Sequence, residues 1–382
     1  MAVAKRTARS AAAHDMAKSV RVSCLPIAGT ANPYQALMME GLRQGGVAHV
    51  EHGRAGRILA ALRTCILQRP DFLHYDWNYS YFLTRSGIVT AVLGCALLIE
   101  LWIVRHLFRC RVVWTFHNIE SHEAPHPKLE RWVQRRFARQ CEWIRMMYRS
   151  SVPKAVEYLG VSPDRMAIVP MGAYHGVYPN NVSNADARRT LGLNQEDRVL
   201  LNLGSMRGYK GIVELLETAR AINDPRFRLI VAGPCSSPQL ATQLRDLAKL
   251  DPRVSLLIGY VQDNRLQILI NASDAFILPF SRVENSSSVL LAMTFAKPVI
   301  APVVGVLPEQ LSQQAELLYP DGGLKEAIAQ FLSMDVELLQ RAGRRNYTVA
   351  LGFDWADFAA LFVERASASR VRRHYEAGTA TS

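Results

Sequence analysis

The chain has 382 residues, of which 49% are hydrophobic and 20% charged, with a formal net charge of +12 and a pI near 9.6. This length predicts two or three domains, and the composition, which shows no repeat at a fixed period, excludes a disordered, collagen-like or repeat protein. The basic balance favours an anionic partner: nucleic acid, acidic lipid head groups or phosphorylated substrates. Neither zinc-finger spacing nor an RNP aromatic pattern accompanies the charge, so we expect no nucleic-acid partner.

The N-terminus and the cysteines bear on the compartment. Residues 1–19 are basic and rich in alanine, and no apolar h-region follows them, which predicts a disordered basic N-terminus rather than a signal peptide. The six cysteines are scattered without a CxxC pair or the spacing of a metal site. We therefore expect a reduced, cytosolic protein with no bound metal.

Residues 20–179 alternate strand-like and helix-like patterns. Strand-like runs begin at Arg21 (RVSCLPI), Asp71 (DFLHYDW) and Arg111 (RVVWTFHN), and shorter ones lie near 145–150 and 166–170. Helical patterns cover 33–43, an apolar segment at 87–104 and a basic segment within 128–154. This alternation predicts a Rossmann-like N-terminal domain, in which helices cover both faces of a parallel sheet.

Two of these segments suggest contact with a membrane. The apolar segment 87–104 is long enough to approach a transmembrane span, but Glu100 lies within it, so we favour a buried or surface-dipping helix. The segment 128–154 is rich in Lys and Arg and carries four aromatic residues: Trp132, Phe137, Trp143 and Tyr148. A basic amphipathic helix with aromatics is typical of an anionic lipid interface, although a solvated helix face beside a core has the same composition.

The alternation stops in a polar stretch and then restarts. Residues 180–194 (NNVSNADARRTLGLN) predict a linker, and residues 195–350 predict a second Rossmann-like domain. Its strands LLNLG, LIVAG and AFILP are continuously apolar, as a sheet buried on both faces requires, and each ends at Gly or Pro where ligands bind in open α/β sheets. Residues 351–382 predict a C-terminal helix that can cross back to the N-terminal domain, followed by a tail. The expected architecture is two doubly wound α/β domains facing a central cleft.

The strongest local motif is GSMRGYKG, from Gly204 to Gly211. A strand runs into a glycine-rich turn that presents Arg207 and Lys210 and then opens a helix at Ile212. Glycines let backbone N–H groups approach a phosphate, and the helix N-terminus with two cations can neutralise a diphosphate. The same residues also fit an ordinary strand-to-helix turn with exposed cations.

A second polar loop follows the strand that ends at Pro279. It places five polar residues before an apolar helix: Glu284, Asn285, Ser286, Ser287 and Ser288. Hydroxyl and amide groups at a helix N-terminus suit a phosphate or a sugar hydroxyl. A plain serine N-cap is the alternative.

The two motifs together, GSMRGYKG and ENSSSVLLAMTFAKPVIAP, resemble the nucleotide-sugar domain of GT4-like glycosyltransferases, which have the GT-B fold. The segments ANPYQALM, HYDW and WTFHNIESHE more closely resemble the family of xanthan-assembly GDP-mannose:glycolipid β-mannosyltransferases, GT94. The resemblance runs from about Arg21 to Phe362. It implies a hexosyltransferase whose second domain binds the donor through the two loops and Glu309, although Glu309 equally suits the first turn of a helix.

One position departs from the GT4 pattern. Those enzymes carry two Glu eight residues apart, and Glu284 would be the first, but the second position is Ala292. The contact to the nucleotide ribose must then come from elsewhere. Whether the reaction retains or inverts the anomeric configuration stays open, and the closer family implies inversion.

An inverting transfer needs a base for the acceptor hydroxyl, and four residues at strand ends of the first domain are candidates: His117, Glu120, Glu123 and Asp76. His117 is favoured because it lies where a strand gives way to a loop, although a buried turn could also use it. Three further residues are expected to contact the acceptor: Asn32, Tyr34 and Trp77. The first loop lacks GxGxxG, so no dinucleotide cofactor is expected.

These inferences predict transfer of a hexose, GDP-mannose being the favoured donor, to a polyprenyl-diphosphate-linked oligosaccharide in exopolysaccharide assembly. The enzyme would act peripherally on the cytoplasmic face of the bacterial inner membrane, without a metal or cofactor. A soluble glucosyltransferase using UDP- or ADP-glucose, a GT-B epimerase and a non-catalytic nucleotide-sugar-binding scaffold remain the alternatives.

Overall fold

The computed structural model describes residues 20–29, 33–119 and 125–379, with side chains as far as residue 367. The expected disordered N-terminus, residues 1–19, lies outside this range. The described chain divides into two compact units. The first contains the residues up to Gly172 and those from Asp354 onward, and the second contains Ala173–Phe353.

The first unit is a six-stranded parallel sheet in the order β2-β1-β3-β4-β5-β6. Its strands are β1 (Arg21–Leu25), β2 (His49–His52), β3 (Phe72–Tyr75), β4 (Arg111–Thr115), β5 (Trp143–Met146) and β6 (Met166–Ile168). Its first six helices are α1 (Tyr34–Gln44), α2 (Ala60–Gln68), α3 (Tyr79–Phe82), α4 (Gly87–His106), α5 (Pro127–Gln140) and α6 (Val152–Leu159). The central strands β3, β4 and β5 are buried almost throughout, as the apolar runs predict.

The second unit is also a six-stranded parallel sheet, in the order β12-β11-β10-β7-β8-β9. Its strands are β7 (Arg198–Leu203), β8 (Phe227–Gly233), β9 (Val254–Ile258), β10 (Ala275–Ile277), β11 (Val299–Pro302) and β12 (Leu318–Tyr319). Its helices are α7 (Asn184–Leu191), α8 (Ile212–Arg220), α9 (Pro238–Ala248), α10 (Asp263–Ala272), α11 (Ser287–Thr294), α12 (Leu307–Gln310), α13 (Leu324–Ser333) and α14 (Val336–Leu351). The expectation of two doubly wound α/β units is confirmed.

The predicted linker at 180–194 is wrong, because these residues belong to the second unit and contain α7. Ser183 caps α7 by accepting a hydrogen bond from the Asp186 amide at 3.1 Å. Arg188 is 3% exposed and donates to the Ala272 carbonyl and to the Asp274 carboxylate, the latter at 2.8 Å. The segment is polar because most of its side chains face solvent. Its composition therefore resembles that of a loop, although Arg188 anchors it as a helix.

The C-terminal helix α15 (Ala356–Thr379) groups with the first unit. Phe358 and Phe362 are fully buried there and make edge-to-face contacts with Trp143, at ring-centroid distances of 5.8 and 5.1 Å. Phe362 also packs against Phe72 of β3, at 5.2 Å. Aromatic pairs of this kind fix the returning segment against the sheet.

Helix α4 has one face in the core of the first unit and one face exposed. Leu97, Leu101 and Val104 join the core cluster, while Ile88 and Val92 on the other face are 80% and 62% exposed. By length and composition alone the helix could cross a membrane, and a third of its most apolar window is buried within the protein.

Glu100, the acidic residue within α4, has a structural role. Glu100 is 5% exposed, and its carboxylate accepts a hydrogen bond from the Leu62 amide in the first turn of α2 at 2.8 Å. No side chain caps α2 from within its own sequence. Glu100 therefore satisfies amides at the N-terminus of a neighbouring helix and complements its dipole, which explains a carboxylate in an apolar segment.

The basic aromatic segment 128–154 does not form one amphipathic helix. Helix α5 ends at Gln140, and the chain then enters β5. Phe137, Trp143 and Tyr148 are buried, whereas Trp132 is 39% exposed. Three of the four aromatic residues thus belong to the core and cannot contact a lipid surface, because a strand interrupts the helical pattern.

We expect Glu100→Ala to lower the free energy of unfolding of the first unit by about 2 kcal/mol, since it removes a buried helix cap. Tryptophan fluorescence during urea unfolding measures this unit selectively, because all six tryptophans lie in it. Glu51→Ala, at an exposed position on the edge strand β2, is the control and should change stability by less than about 0.5 kcal/mol. Equal effects of the two substitutions would contradict the capping role.

Candidate functional site

The candidate residues of the first unit meet around Asp76, which directly follows β3. Its Oδ1 lies 2.9 Å from Nε2 of His117, which follows β4, and accepts a hydrogen bond from the Tyr34 hydroxyl at 3.1 Å. Its Oδ2 accepts a hydrogen bond from the Gln35 amide at 3.2 Å. The register Tyr75↔Trp114 brings the ends of β3 and β4 side by side, so residues 41 positions apart become neighbours.

Asp76 is held ionised although it is buried. Burial alone would raise the pKa of Asp76, but the neighbouring His74 and the hydrogen bonds from His117 and Gln35 lower it to about 2. Burial lowers the pKa of His74 to about 4, so that ring is neutral at pH 7. The hydrogen-bond donors are therefore what stabilise the Asp76 carboxylate at neutral pH.

The Asp76 carboxylate determines the tautomer of His117. An ionised carboxylate only accepts hydrogen bonds, so Nε2 of His117 carries the proton and the lone pair of the neutral ring lies on Nδ1. The Trp77 ring stacks on the imidazole at 4.9 Å with an interplanar angle of 17°. The His117 side chain is 9% exposed and that of Asp76 is 0% exposed. Asp76 is thus placed to orient His117 rather than to reach an external group.

Two residues that sequence reasoning did not single out complete this cluster. Gln35 donates to Asp76, and Arg145 of β5 donates to the Tyr34 hydroxyl at 3.1 Å. Arg145 is fully buried and also donates to the carbonyl groups of Val169 and Pro170. A lone arginine among the apolar residues of a central strand was the available signal, because such a charge requires buried partners.

Three predicted residues lie outside the described part of the chain: Asn32, Glu120 and Glu123.

In the second unit the two predicted loops meet at Gly204, which follows β7. Gly204 has φ +140°, and a Cβ built on it would lie 2.6 Å from Oγ of Ser288 and 3.5 Å from Nζ of Lys210. A side chain at position 204 would therefore occupy the space between the hydroxyl and the ammonium group. The structure brings Lys210 and the serine loop together, on one side of the unit.

The two loops are also joined through their backbones. The Ser281 amide donates to the Tyr209 carbonyl at 3.0 Å, as does the Ser281 hydroxyl. Gly211 has φ +65°, and a Cβ there would lie 2.0 Å from the Pro279 carbonyl oxygen. Only glycine allows this approach, which is why the motif ends on it.

The cations of this loop differ in burial. Burial and the nearby charge of Arg207 lower the pKa of Lys210 to about 8, whereas Arg207 itself is exposed and donates to the Ser205 hydroxyl. Ser286 is the N-cap of α11 and accepts from the Val289 amide at 3.2 Å, so the capping interpretation is correct for this serine. Ser288 is 8% exposed and faces Gly204.

The remaining predicted donor residues lie in the serine loop or in helix α12. Glu284 and Asn285 are half-buried in the loop before α11, and Ser287 is exposed. Glu309 is exposed in the first turn of α12, and its neighbour Gln310 donates to the Ser286 carbonyl at 3.4 Å.

Ala292 is fully buried in α11, so no carboxylate occupies the position of the second Glu of the GT4 pattern. Within the described residues, no group of three or more His, Cys, Asp or Glu could hold a metal ion. Glycine backbone, the half-buried Lys210 ammonium and a hydroxyl at a helix start are groups that can contact anionic oxygens.

Comparisons with known proteins identify the family of the second unit. Residues 183–349 match the family Glycosyl transferases group 1. Over 243 residues the chain is 29% identical to the GDP-mannose:glycolipid 4-beta-D-mannosyltransferase of Xanthomonas campestris pv. campestris. This match covers 63% of this chain and 64% of that protein. The matched region thus spans just under two thirds of the relative's length.

Solved structures resemble more than nine tenths of the chain. Sucrose-phosphate synthase from Thermosynechococcus elongatus superposes with a TM-score of 0.69 at 17% identity, covering 94% of this chain and 100% of that one. HepE of Anabaena, in complex with UDP and glucose, gives a TM-score of 0.69 at 16% identity, covering 91% and 100%. At these identities the likeness shows the fold alone, and the fold is that of GT-B glycosyltransferases.

We expect Lys210→Met to stabilise the free protein while abolishing anion binding. The pKa of Lys210 falls from 10.5 to about 8, so the cost of its charge is fully present below pH 8 and disappears as the pH rises towards 10.5. At pH 7 the substitution should therefore raise the free energy of unfolding by about 1 kcal/mol. Inorganic pyrophosphate should raise the melting temperature of the wild type and leave that of the variant unchanged.

Lys249→Met is the matched control, because Lys249 is an exposed lysine on the same unit that pairs with Asp246. It should change neither stability nor the response to pyrophosphate. Full stabilisation of Lys210→Met by pyrophosphate would show that this ammonium group does not contact the anion.

Proposed function

Residues 183–349 form a glycosyltransferase group 1 domain, and on that premise we propose that the chain transfers a hexose from a nucleoside diphosphate sugar, GDP-mannose, to a lipid-linked oligosaccharide. The observation that supports this most directly is the meeting of Lys210 and Ser288 beside Gly204. The related Xanthomonas protein is named for GDP-mannose and a glycolipid acceptor. The acceptor we propose is a polyprenyl-diphosphate oligosaccharide of exopolysaccharide assembly.

The second unit would hold the donor. The Lys210 ammonium and Arg207 guanidinium would neutralise the diphosphate, which gains negative charge as the bond from its oxygen to the sugar C1 breaks. Ser286, Ser287 and Ser288 would contact phosphate oxygens, and Glu284, Asn285 and Glu309 the sugar or nucleoside. HepE, whose fold is similar, was solved with UDP and glucose. No metal would be needed for this charge stabilisation, since the cations supply it.

The first unit would activate the acceptor. Nδ1 of His117 would remove the proton from the acceptor hydroxyl as that oxygen bonds to C1 and the nucleoside diphosphate leaves. Asp76 would hold the Nε2 proton and stabilise the imidazolium that forms. The name of the Xanthomonas relative specifies a β-mannoside product, which an α-linked donor gives by inversion. Trp77, which is half-buried and stacks on His117, would contact the acceptor sugar. Tyr34, expected to do so as well, is 3% exposed and would act by holding Asp76.

An apolar face on the first unit would bind the membrane surface. We define the apolar face as four exposed residues of α4 and two of α2: Ile88, Val92, Ile99, Trp102, Ile66 and Leu67. The α4 residues recur at intervals of three, four or seven, so they lie on one side of the helix. Arg105 and Arg109 follow at its C-terminal end, where they could pair with acidic head groups. We therefore propose peripheral attachment to the cytoplasmic face of the bacterial inner membrane.

The activity is tested by incubating the full chain with radiolabelled GDP-mannose, UDP-glucose or ADP-glucose and a polyprenyl-diphosphate oligosaccharide. We expect label in the lipid fraction from GDP-mannose. His117→Ala should lower kcat about 10²- to 10⁴-fold with little change in donor binding, since it removes the general base. Asp76→Asn should also lower kcat, because it presents the wrong tautomer of His117.

The alternatives give different results in this assay. Transfer only from UDP- or ADP-glucose would contradict GDP-mannose as the donor. Transfer only to a soluble acceptor would contradict the lipid-linked acceptor. A chain that neither transfers nor hydrolyses any of the three donors, yet binds one, would be a scaffold. His52→Ala, at an exposed histidine of β2, is the control and should leave transfer unchanged.

The membrane proposal is tested by sedimentation with vesicles containing anionic phospholipid. We expect Val92→Glu and Ile99→Glu to reduce binding at least about tenfold each, because each charge replaces apolar area in the interface. Leu250→Glu, at a 57% exposed leucine of the second unit, is the control and should bind as the wild type. Equal binding by all variants would show that the apolar face does not contact the bilayer.

A further inference from the structure

A cavity of 360 Å³ lies at the amino edge of the second sheet. Its lining includes Arg198, the first residue of β7, together with Asp274 and Pro298, which directly precede β10 and β11. The proposed donor loops follow the opposite ends of these strands. Since β7 has six residues, the two edges are about 20 Å apart. The cavity is therefore separate from the donor loops.

Charged groups line much of this cavity. They comprise four cations (Arg188, Arg198, Arg226 and Lys297) and three carboxylates (Glu196, Asp197 and Asp274). Two of the carboxylates already have partners: Asp274 pairs with Arg188 at 2.8 Å and Asp197 with Arg228 at 3.0 Å. Arg226 pairs with Asp224. Of the four cations that line the cavity, Lys297 and Arg198 are therefore the two without an ion pair among the described residues.

Neither Lys297 nor Arg198 forms an ion pair within the described residues. Nζ of Lys297 donates to the Ser273 carbonyl at 2.7 Å, and Nη2 of Arg198 donates to two carbonyl groups. Arg198 is only 6% exposed, and its Nε is buried without a partner. Burial lowers the pKa of Lys297 to about 8, although the charge of Asp274 opposes the shift. Both cations donate hydrogen bonds only to carbonyl groups, and nearby carboxylates such as Asp274 offset only part of their desolvation, so they are costly for the free protein.

We propose that this cavity binds a small organic phosphate, with Lys297 and Arg198 holding the phosphate group. The volume lies within the range of small-molecule sites, about 300–1,000 Å³. Amide side chains at its rim, those of Gln195 and Gln340, can meet the hydroxyl groups of the same ligand. An anion there would supply the ion-pair partner that neither cation has among the described residues.

The test is calorimetric titration of the full chain with glucose 6-phosphate, inorganic phosphate and glucose. We expect both phosphates to bind and glucose not to bind. Lys297→Met should weaken glucose 6-phosphate binding at least about tenfold, the loss of one charge-assisted hydrogen bond. Lys249→Met, a surface lysine on the same unit, should bind as the wild type. Lys210→Met should also bind glucose 6-phosphate normally, because it alters only the donor loop.

A second variant tests the proposal in case Lys297→Met fails to fold. Gln340→Glu adds a negative charge at an exposed rim position, where the fold should tolerate it, and should weaken phosphate binding by repulsion. Absence of phosphate binding to the wild type would overturn the proposal. So would binding that Lys210→Met abolishes and Lys297→Met preserves, since the anion would then occupy the donor loop. GDP should show the reverse dependence, so failure of the donor assignment is distinguishable from failure of this one.

Discussion

Parallel strand order is the constraint on which both candidate sites depend. Every strand of a parallel sheet presents its carboxyl end at the same edge, so loops distant in sequence become neighbours there. Adjacency of β3 and β4 places Asp76 beside His117, and adjacency of β7 and β10 places Gly204 beside the loop that carries Ser288. Each pairing needs a helical crossover that buries an apolar face, and the two cores supply it. Residues distant in sequence therefore meet at each candidate site because the sheets are parallel.

The two sites treat buried charge in opposite ways. In the first unit, Asp76 is ionised and fully buried, and the protein itself provides the hydrogen-bond donors that stabilise it. In the second unit, Lys210 has no carboxylate partner within the described residues, and its pKa falls to about 8. A fully hydrogen-bonded charge makes its surroundings rigid, which suits the proposed role of Asp76 in holding one tautomer of His117. An unsatisfied cation raises the energy of the empty state and so favours binding of an anion.

Sequence patterns predicted the buried strands of the sheets and the turns that require glycine. The continuous apolar runs gave β7, β8 and β10, and the motif from Gly204 to Gly211 gave the cation loop. The same reasoning failed where composition and tertiary role diverge. Polar residues 184–191 form α7 because Arg188 is anchored by groups distant in sequence, and Trp143 is buried because a strand interrupts a helical pattern. Arg145 was missed because its partners lie on other elements and leave no local signature.

Helix α11 runs between the two edges of the second sheet, so that Lys210 lies near its start and Lys297 near its end. Its N-cap is Ser286, beside the proposed donor loop, and its last residue is Thr294. Ala296 then adopts φ +53°. This left-handed residue turns the chain so that Lys297 reaches the Ser273 carbonyl at the far edge. A helix buried along its length is a place where apolar residues give most stability. An ammonium group lies near each end of this helix, and neither forms an ion pair among the described residues. This supports the anion sites proposed at the two edges of the sheet.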